Sequence, residues 1–399
     1  MKKFRVLTIL IIPFILLSQT AQARDDENGK YYTNTKARLG GLLYFDTDLS
    51  INKNQACASC HTPPHFVDPA NVADPANSVV SLGSDTTLNG GRNSPSAAYA
   101  AFSPFFSWDP VEGLYVGGQF WDGRATTLTE QAKAPFLNPV EMAMPTEKSV
   151  LKRIASYDNV NFRKYKKLFK KVYDVDIVDA SRSYDQIVID AVYAMMADAI
   201  AAFEKTGEFN KFSSKFDYYL AGKTDLSAQE LRGMTVFNGK AKCNACHTSD
   251  ALIAPDGSVM PPLFTDFTYD NIGIPKSTNP LIADNPIDYG LGGREDIAAK
   301  DPTGAELGKH KVMTLRNIEI TPPYGHNGFF ATLEEIVNFY NTRDIDPWPA
   351  PEVEQNVNTE ELGDLGLSAE EGADIVAFLK TLTDGFGPPL NDFAFPPFP

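Results

Sequence analysis

Two copies of the motif Cys-x-x-Cys-His contain all four cysteines of this chain. They are Cys57-Ala58-Ser59-Cys60-His61 and Cys243-Asn244-Ala245-Cys246-His247. Two thiols at this spacing can form thioethers to the two vinyl groups of one haem, and the adjacent histidine then binds the iron. The motifs therefore predict two covalently bound haem c groups, and the chain has to fold around two large, flat ligands.

The same four cysteines could instead form two disulfides or a four-thiolate zinc site. Neither arrangement needs a histidine directly after each pair, whereas haem attachment does. The pattern therefore favours Cys57, Cys60 and His61 as the anchor of one haem. Cys243, Cys246 and His247 are the corresponding residues for the other.

The first residues of the chain indicate export. Three basic residues among the first five precede an apolar run over residues 6–17, and Ala21-Gln22-Ala23 follows it. The run is too short to span a bilayer stably, so we interpret residues 1–23 as a cleaved signal peptide rather than a retained membrane anchor. The mature protein is then expected to be soluble in the periplasm.

The segments before the two motifs resemble each other. Leu39-Gly40-Gly41-Leu42-Leu43-Tyr44-Phe45 aligns with Leu231-Arg232-Gly233-Met234-Thr235-Val236-Phe237, 192 residues later, whereas the cysteines are 186 residues apart. This repeat predicts two related haem domains. We place them at residues 24–183 and 184–385, with an apolar helix over 187–203 near the start of the second and a tail rich in Pro and Phe over 386–399.

Helix starts are marked by Ser or Thr three residues before Glu or Gln, the spacing of a capping box. Near the C-terminus, Ile375, Phe378, Leu379 and Leu382 recur at helical spacing. Long stretches rich in Gly, Pro, Asn and Asp separate the helices. The predicted fold class is mainly α, with two cytochrome c-like haem domains and long irregular loops. The capping boxes are Ser183 with Gln186, Ser227 with Glu230, Thr332 with Glu335, and Ser368 with Glu371, and the loops span residues 62–119 and 250–308.

The chain is acidic, with 36 Lys and Arg against 51 Asp and Glu and a formal charge of -15. This charge repels a phosphate backbone and argues against nucleic acid as a partner. We expect no extended basic cluster to interrupt the acidity. A redox partner has to dock on a surface with this charge.

Further motifs resemble those of the bacterial dihaem cytochrome c peroxidase and MauG superfamily, and the resemblance covers nearly all of the mature chain. The segments that carry it are Gly91-Arg92-Asn93-Ser94-Pro95, Phe120-Trp121-Asp122-Gly123-Arg124, Glu130-Gln131-Ala132, Asn138-Pro139-Val140-Glu141-Met142, Thr314-Leu315-Arg316-Asn317 and Pro322-Pro323-Tyr324-Gly325-His326-Asn327-Gly328. The resemblance implies a peroxidatic haem in the N-terminal domain and an electron-transfer haem in the C-terminal domain.

In this family, hydrogen peroxide reacts at the N-terminal haem. The resemblance implies that Glu141 is the acid–base group on the open side of that haem, with Gln131 and Pro135 completing the pocket. A carboxylate there can take a proton from one peroxide oxygen and return it to the other. Trp121 matches the family's tryptophan between the two haems and would share oxidising equivalents between them.

Members of the family differ in two of the residues that bind haem iron. Many of its cytochrome c peroxidases carry a histidine before the Arg-Asn-Ser-Pro motif that caps the first haem, but residues 66–141 contain none, and His65 is too close to His61 in the chain to reach the opposite face. The resemblance therefore implies an open first haem. At the position where the peroxidases have a methionine ligand of the second haem, this chain has Tyr340, as in the MauG-like branch.

Tyr340 lies on the predicted buried stripe of its helix, with Leu333, Ile336 and Val337 at i, i+3 and i+4. It could therefore be a core tyrosine bonded to a carbonyl. Other candidate ligands of the second haem stay open at this point. They are Met313, His310 and Met260.

The resemblance also implies a calcium ion between the domains. Its ligands would be the side chain of Asn93 and the backbone carbonyls of Thr321 and Pro323, and hard oxygen ligands suit calcium. His326 would then support the C-terminal haem, although an ordinary core histidine is an equal alternative.

These observations predict a MauG-like enzyme that uses hydrogen peroxide to form high-valent haem and then oxidises a Trp or Tyr side chain of a protein substrate. One alternative is a cytochrome c peroxidase that reduces peroxide with electrons from a small cytochrome c or a cupredoxin. A second is an electron-transfer protein without turnover, which the open first haem disfavours.

Overall fold

The computed structural model describes residues 35–253 and 259–390. The predicted signal peptide and residues 391–399 of the predicted tail lie outside the described residues. As predicted, the fold is mainly helical, with long irregular connections and three short antiparallel pairs, β1–β2, β3–β4 and β5–β6. The helices are α1 Thr35–Tyr44, α2 Cys57–Cys60, α3 Pro69–Ala73, α4 Leu128–Leu137, α5 Glu147–Ile154, α6 Phe162–Tyr173, α7 Ile177–Arg182, α8 Gln186–Glu204, α9 Lys215–Leu220, α10 Ala228–Asn238, α11 Glu295–Ala298, α12 Leu333–Thr342 and α13 Ala369–Lys380. The strands are β1 Ser107–Asp109, β2 Leu114–Val116, β3 Leu252–Ile253, β4 Val259–Met260, β5 Tyr269–Asp270 and β6 His310–Lys311.

Each half of the molecule contains a helix pair that crosses at a glycine. Helix α1 meets α8 at Gly40, where a Cβ atom would lie 1.8 Å from the Ala199 carbonyl oxygen. Helix α10 meets α13 at Gly233, where a Cβ atom would lie 1.9 Å from the Asp374 carbonyl oxygen. Only glycine allows two backbones to approach this closely. The two crossings are equivalent, which supports the predicted internal repeat.

The crossings correct the alignment of the repeat. The Cβ position of Gly40 also meets Phe203, and that of Gly233 meets Phe378, so Gly40 corresponds to Gly233. The alignment expected from the sequence, with Gly41 opposite Gly233, is one residue out of register. The helices before the two motifs are therefore 193 residues apart, and the two copies differ by seven residues rather than six.

Helix α8 packs in the first hydrophobic core, not in the second. Its buried side chains join those of α1 and α4 to α7 in one cluster that extends to Phe212 and also includes Met260 and Leu263, whereas the second cluster begins at Phe216. From the sequence, this helix was expected to begin the second domain. We propose instead that the domains divide between Phe212 and Phe216. Within the described part of the chain, α8 is also the one helix that is long and apolar enough to cross a membrane, and half of it is buried in the protein.

The capping boxes at Ser227, Thr332 and Ser368 are confirmed, since each hydroxyl accepts a hydrogen bond from the backbone three residues later. The box predicted at Ser183 is wrong. Asp185 caps α8 instead, and its carboxylate accepts from the Ile187 amide. The apolar stripe near the C-terminus is confirmed as well, because Ile375, Phe378 and Leu379 of α13 are buried, as is Leu382, two residues beyond its end.

The surface charge is less uniform than expected. Helix α6 buries Phe162, Tyr165, Leu168 and Phe169 and exposes six cationic side chains on its other side. The expectation that no extended basic cluster interrupts the acidity was therefore wrong. The exposed cations are Arg163, Lys164, Lys166, Lys167, Lys170 and Lys171.

The glycine crossing predicts a specific loss of stability. Gly233→Ala places a methyl group against the backbone of α13, and we expect the free energy of unfolding of the haem-loaded protein to fall by about 3 kcal/mol, at the upper end of the usual cost of overpacking. Gly372→Ala on α13 is the matched control, because no atom lies within 4 Å of its Cβ position. That change should be neutral or stabilise the protein by up to about 1 kcal/mol. Denaturant unfolding measures both, and equal effects would contradict the close crossing.

Candidate functional site

The first Cys-x-x-Cys-His motif lines a cavity of about 420 Å³. Cys57–Cys60 forms α2, and the amide of His61 donates to the carbonyl of Cys57 at 2.9 Å. Burial lowers the pKa of His61 and raises that of the Cys60 thiol to about 11. The imidazole is therefore neutral at neutral pH, which is the form that binds iron. Two cysteines and a neutral histidine on one side of a largely apolar cavity fit a covalently attached haem.

The second motif lines a cavity of about 230 Å³ and holds its histidine by a hydrogen bond. The Nδ1 atom of His247 lies 2.8 Å from the carbonyl oxygen of Phe264. When Nδ1 donates this bond, Nε2 is left as the ligand atom. In the first site, Nδ1 of His61 is buried and has no hydrogen-bond partner among the described residues, although the Phe66 carbonyl opposes the larger effect of burial on the pKa of His61. Phe66 and Phe264 both have left-handed backbones, with φ of 55° and 54°, so the two sites share this backbone feature but differ in the hydrogen bond to the histidine.

Tyr340, on α12, lines the second cavity together with Cys243, Cys246 and His247. Its hydroxyl forms no hydrogen bond with any residue that the structure describes. Burial raises its pKa, and the two thiols and the carboxylate of Asp270 raise it further. A buried phenol normally has a hydrogen-bond partner. This one is not a core tyrosine bonded to a carbonyl, and it is available to a metal.

The three alternative ligands of the second haem are placed differently from Tyr340. Met260 is buried in the first hydrophobic core and is absent from the lining of both cavities. His310 lines the second cavity, but its Nε2 lies 3.5 Å from the carboxylate of Asp288. Met313 lines both cavities.

The predicted peroxide-binding residues come together in the first cavity. Gln131 and Pro135 lie one turn apart on α4 and line the cavity with Glu141. The side chain of Asn138 donates to Glu141 Oε1 at 2.6 Å. Burial raises the pKa of Glu141, and the bond from Asn138 opposes this shift. A carboxylate with raised proton affinity on the wall of an apolar cavity is suited to acid–base catalysis.

No second histidine lines the first cavity among the described residues. Its lining includes His61 but not His65, whose carbonyl accepts a hydrogen bond from Ser96 instead. The described part of the first cavity therefore contains no histidine, other than His61, that could cap a haem bound there.

One wall separates the two cavities, and Trp121 is part of it. Residues 93–96 and 311–314 line both cavities, as does Trp121. The indole nitrogen of Trp121 donates to the carbonyl of Asn93 at 2.8 Å, and its own carbonyl accepts from the amide of Lys311. Lys311 is itself buried and donates from Nζ to the Gly118 carbonyl at 2.7 Å. The tryptophan is thus fixed where both haems would contact the same wall.

The predicted calcium ligands lie at the same wall. The Asn93 side chain is buried, and its Nδ2 atom donates to the Pro323 carbonyl at 2.6 Å. Asn71 donates to the Asn93 side-chain oxygen at 3.3 Å. Thr321 and Pro323 both line the second cavity. The Asn93 oxygen thus faces Asn71 and not the Pro323 carbonyl, so Asn93 could offer that oxygen to a cation beside Pro323 only after its amide turned over and the bond from Asn71 was lost.

His326 also lines the second cavity and belongs to a polar cluster. Its ring stacks on His310 with centroids 3.7 Å apart, and its Nε2 lies 3.3 Å from a carboxylate oxygen of Glu352. Its backbone carbonyl accepts from the amide of Asn93. His326 is therefore buried, as a core histidine would be, and it also lines the second cavity, as a histidine that supports the haem would.

Two charged residues of these sites were missed by the sequence analysis. Arg92 binds Asp288 through Nε and Nη2 and Asp122 through Nη1, at 2.6 to 2.7 Å, and so joins segments far apart in the chain. Its position in the Arg-Asn-Ser-Pro motif was an available signal. Glu204 lines the first cavity, and its Oε2 has no hydrogen-bond partner among the described residues. Burial raises its pKa to about 8, and no motif marks it.

Comparisons with known proteins agree with this geometry. Residues 34–225 match the family model for the di-haem cytochrome c peroxidases. The methylamine utilization protein MauG of Paracoccus denitrificans is 38% identical over 403 residues, which cover 96% of this chain and 95% of the relative. The cytochrome c551 peroxidase of Nitrosomonas europaea is 33% identical over 352 residues, with 87% and 79% covered. The crystal structure of the diheme peroxidase BthA from Burkholderia thailandensis has a TM-score of 0.74 and 30% identity, over 90% of this chain and 87% of that one.

The environment of Glu141 predicts the effect of removing its charge. Glu141→Gln should slow the first reaction of the haem-loaded protein with peroxide by about 10²- to 10⁴-fold, the usual contribution of a general acid–base group. In the unmodified protein the rate should fall as the pH drops through the raised pKa of Glu141, because the base form is lost there, and this acid limb should vanish in the variant. Stopped-flow spectra measure the rates. Glu112→Gln, at an exposed position, is the control, and equal rates in all three proteins would exclude Glu141.

Proposed function

The chain belongs to the dihaem cytochrome c peroxidase and MauG family, and on this basis we propose that it is a periplasmic, MauG-like enzyme. It uses hydrogen peroxide to oxidise a Trp or Tyr side chain of a protein substrate. The haem oxidoreductase class rests on similarity along nearly the whole chain to proteins named MauG and cytochrome c peroxidase. The choice of the MauG-like branch rests mainly on Tyr340.

Tyr340 is the observation that carries this choice. It lies in the second cavity beside Cys243, Cys246 and His247, and its hydroxyl has no partner among the described residues. An anionic oxygen ligand stabilises oxidised iron more than a methionine sulfur does and lowers the reduction potential. Such a ligand suits a haem that stores an oxidising equivalent, rather than one that only passes electrons to peroxide.

When bound in the first cavity, haem would supply the iron for peroxide cleavage and for storage of oxidising equivalents. Glu141 removes the proton from one peroxide oxygen and delivers it to the other, so that the O–O bond breaks with water as the leaving group. Asn138 holds the carboxylate in place. Gln131 and Pro135 limit the space beside it, and Trp121, in the shared wall, connects the two cavities.

A calcium ion held by Asn93, Thr321 and Pro323 forms part of the proposal. These residues come from both halves of the chain, and the contact between Asn93 and Pro323 supports their convergence. The ion would fix the two halves, and hence the two haems, relative to each other. His326 would support the second haem from the same wall.

A cytochrome c peroxidase is the second candidate function, since relatives with that name match the chain as well. In that case the electrons would come from a small redox protein, and water would be the only product of peroxide. The lining of the first cavity weighs against a capped haem that needs reduction before it reacts, because His61 is the only histidine there among the described residues.

The proposed function predicts reaction with peroxide in the fully oxidised state. We expect a high-spin first haem in the protein as isolated and immediate spectral changes on addition of peroxide, without a reductant. A periplasmic extract treated with the activated protein should then contain a protein with a newly oxidised Trp or Tyr, identified by mass spectrometry. An extract treated with peroxide and the Glu141→Gln variant is the control. A requirement for one-electron reduction before any reaction would instead indicate the peroxidase.

The ligand role of Tyr340 predicts a change in potential. Tyr340→Met should raise the reduction potential of the second haem and produce the near-infrared band of methionine-bound ferric haem, because a neutral sulfur replaces an anionic oxygen. Tyr324→Phe is the matched control. Tyr324 also lines the second cavity, but its hydroxyl donates to the Ile318 carbonyl at 2.9 Å. If neither Tyr340→Met nor the control changes the reduction potential of the second haem, Tyr340 is not its ligand.

A further inference from the structure

Four aromatic side chains are in contact in a row that runs from the interior to the surface. The Tyr269 and Phe106 rings have centroids 6.0 Å apart at a steep angle, and the Phe106 and Tyr115 rings are stacked at 5.2 Å. The Tyr115 and Trp108 rings meet edge to face at 4.9 Å. We call Tyr269, Phe106, Tyr115 and Trp108 the aromatic ladder.

The inner end of the aromatic ladder lies beside the wall between the two cavities, because Tyr269 pairs with the wall residue Lys311 on β6. Tyr269 is buried on β5 and is followed by Asp270, which lines the second cavity. A Cβ atom at Gly123 would lie 2.0 Å from the Tyr269 hydroxyl and 2.7 Å from the Phe106 ring, so both side chains lie against the backbone of Gly123. Gly123 is only two residues from Trp121, in the shared wall.

The outer end of the aromatic ladder is exposed to solvent. Trp108 lies on the hairpin of β1 and β2 and exposes 48% of its surface. Exposed indole is uncommon on a protein surface, and apolar groups that cluster there often mark a contact site. Phe105 and Val111, in the same segment, are also exposed, at 53% and 85%. Arg294 stacks on Phe106 behind the hairpin and holds the ladder against the body of the protein.

We propose that the aromatic ladder carries electrons inward from Trp108 to the haem sites, so that Trp108 is the point at which oxidising power leaves the protein. This inference rests on the proposed function, which supplies the oxidant. Tunnelling rates fall steeply with distance, and rings in contact divide a long transfer into short steps. Indole and phenol lose an electron more readily than other side chains, so Trp108, Tyr115 and Tyr269 are the residues that are oxidised in turn. Phe106 lies between Tyr115 and Tyr269 and bridges them.

The electron balance defines what happens at Trp108. Reduction of one peroxide to two waters consumes two electrons and two protons. With a reductant present, Trp108 passes on two electrons in single steps and is restored by the reductant each time. Without one, Trp108 itself loses two electrons and two protons and takes up the oxygen atom of a water molecule. The sum is one peroxide and one tryptophan converted to one water and one oxygenated tryptophan.

The test is performed on the haem-loaded protein in water enriched in ¹⁸O. One equivalent of unlabelled peroxide is added without a reductant, and peptides are then analysed by mass spectrometry. We expect one ¹⁸O atom on Trp108 and none on Trp348, which packs against Phe330 and Phe339 in the second core. Oxygen from peroxide rather than from water would indicate direct chemical attack on an exposed side chain and would overturn the proposal.

Two tyrosine variants test the path itself. Tyr115→Phe keeps the ring but removes the oxidisable phenol, and it should lower the labelling of Trp108 at least fivefold. Tyr184→Phe is the matched control, because Tyr184 is 95% exposed and its ring contacts Lys148, away from the aromatic ladder. Equal labelling of Trp108 in both variants would overturn the proposed electron path through the aromatic ladder. The spectral reaction with peroxide is recorded for each protein, so that a protein that never reacts refutes the proposed function, whereas one that reacts without labelling Trp108 refutes only this inference.

Discussion

The two glycine crossings are the constraint on which the rest of the structure depends. At Gly40 and at Gly233 one helix backbone touches another, and this contact sets the position of the chain that leads into each Cys-x-x-Cys-His motif. Around each crossing the aromatic side chains pack edge to face, as Tyr44 does on Phe203 and Phe237 on Phe378. Each motif therefore lines one side of a cavity, and loops line the other side. The two halves use the same contact and share a left-handed phenylalanine after each motif, although the hydrogen bond to Nδ1 is formed by His247 and not by His61.

The two halves of the molecule are joined by the wall that separates the two cavities. A thin wall of two chain segments and Trp121 serves both cavities, and ion pairs of Arg92 and the contact of Asn93 with Pro323 tie the wall together. Residues of one cavity cannot shift without moving residues of the other. The chemistry assigned to the two sites differs all the same, because the side chains opposite the histidines differ. A carboxylate is available in the first cavity and a phenol in the second.

Features that depend on a few neighbouring residues could be predicted from the sequence. The haem motifs, three of four capping boxes and the apolar stripe of α13 are of this kind, and a family resemblance extended the prediction to Glu141, Gln131 and Trp121. Features that depend on packing between distant segments could not be predicted from the sequence. The apolar run of α8 has no local sign that its partner is α1, and the repeat allows two alignments until Gly40 and Gly233 are seen at their crossings. Glu204 lines the first cavity, and Tyr269 joins the other three rings of the aromatic ladder, only because distant segments meet.

Burial of the cysteines bears on how the protein is made. In the finished fold burial raises the pKa of all four thiols, to about 11 for Cys60 and about 12 for Cys243. A thiol reacts mainly as its thiolate, so these groups are poor nucleophiles once the cores have closed. Attachment of haem while the chain is still open would meet more reactive thiols. In that order of events, a substitution that stabilised the empty polypeptide would slow haem attachment, so early folding would work against maturation.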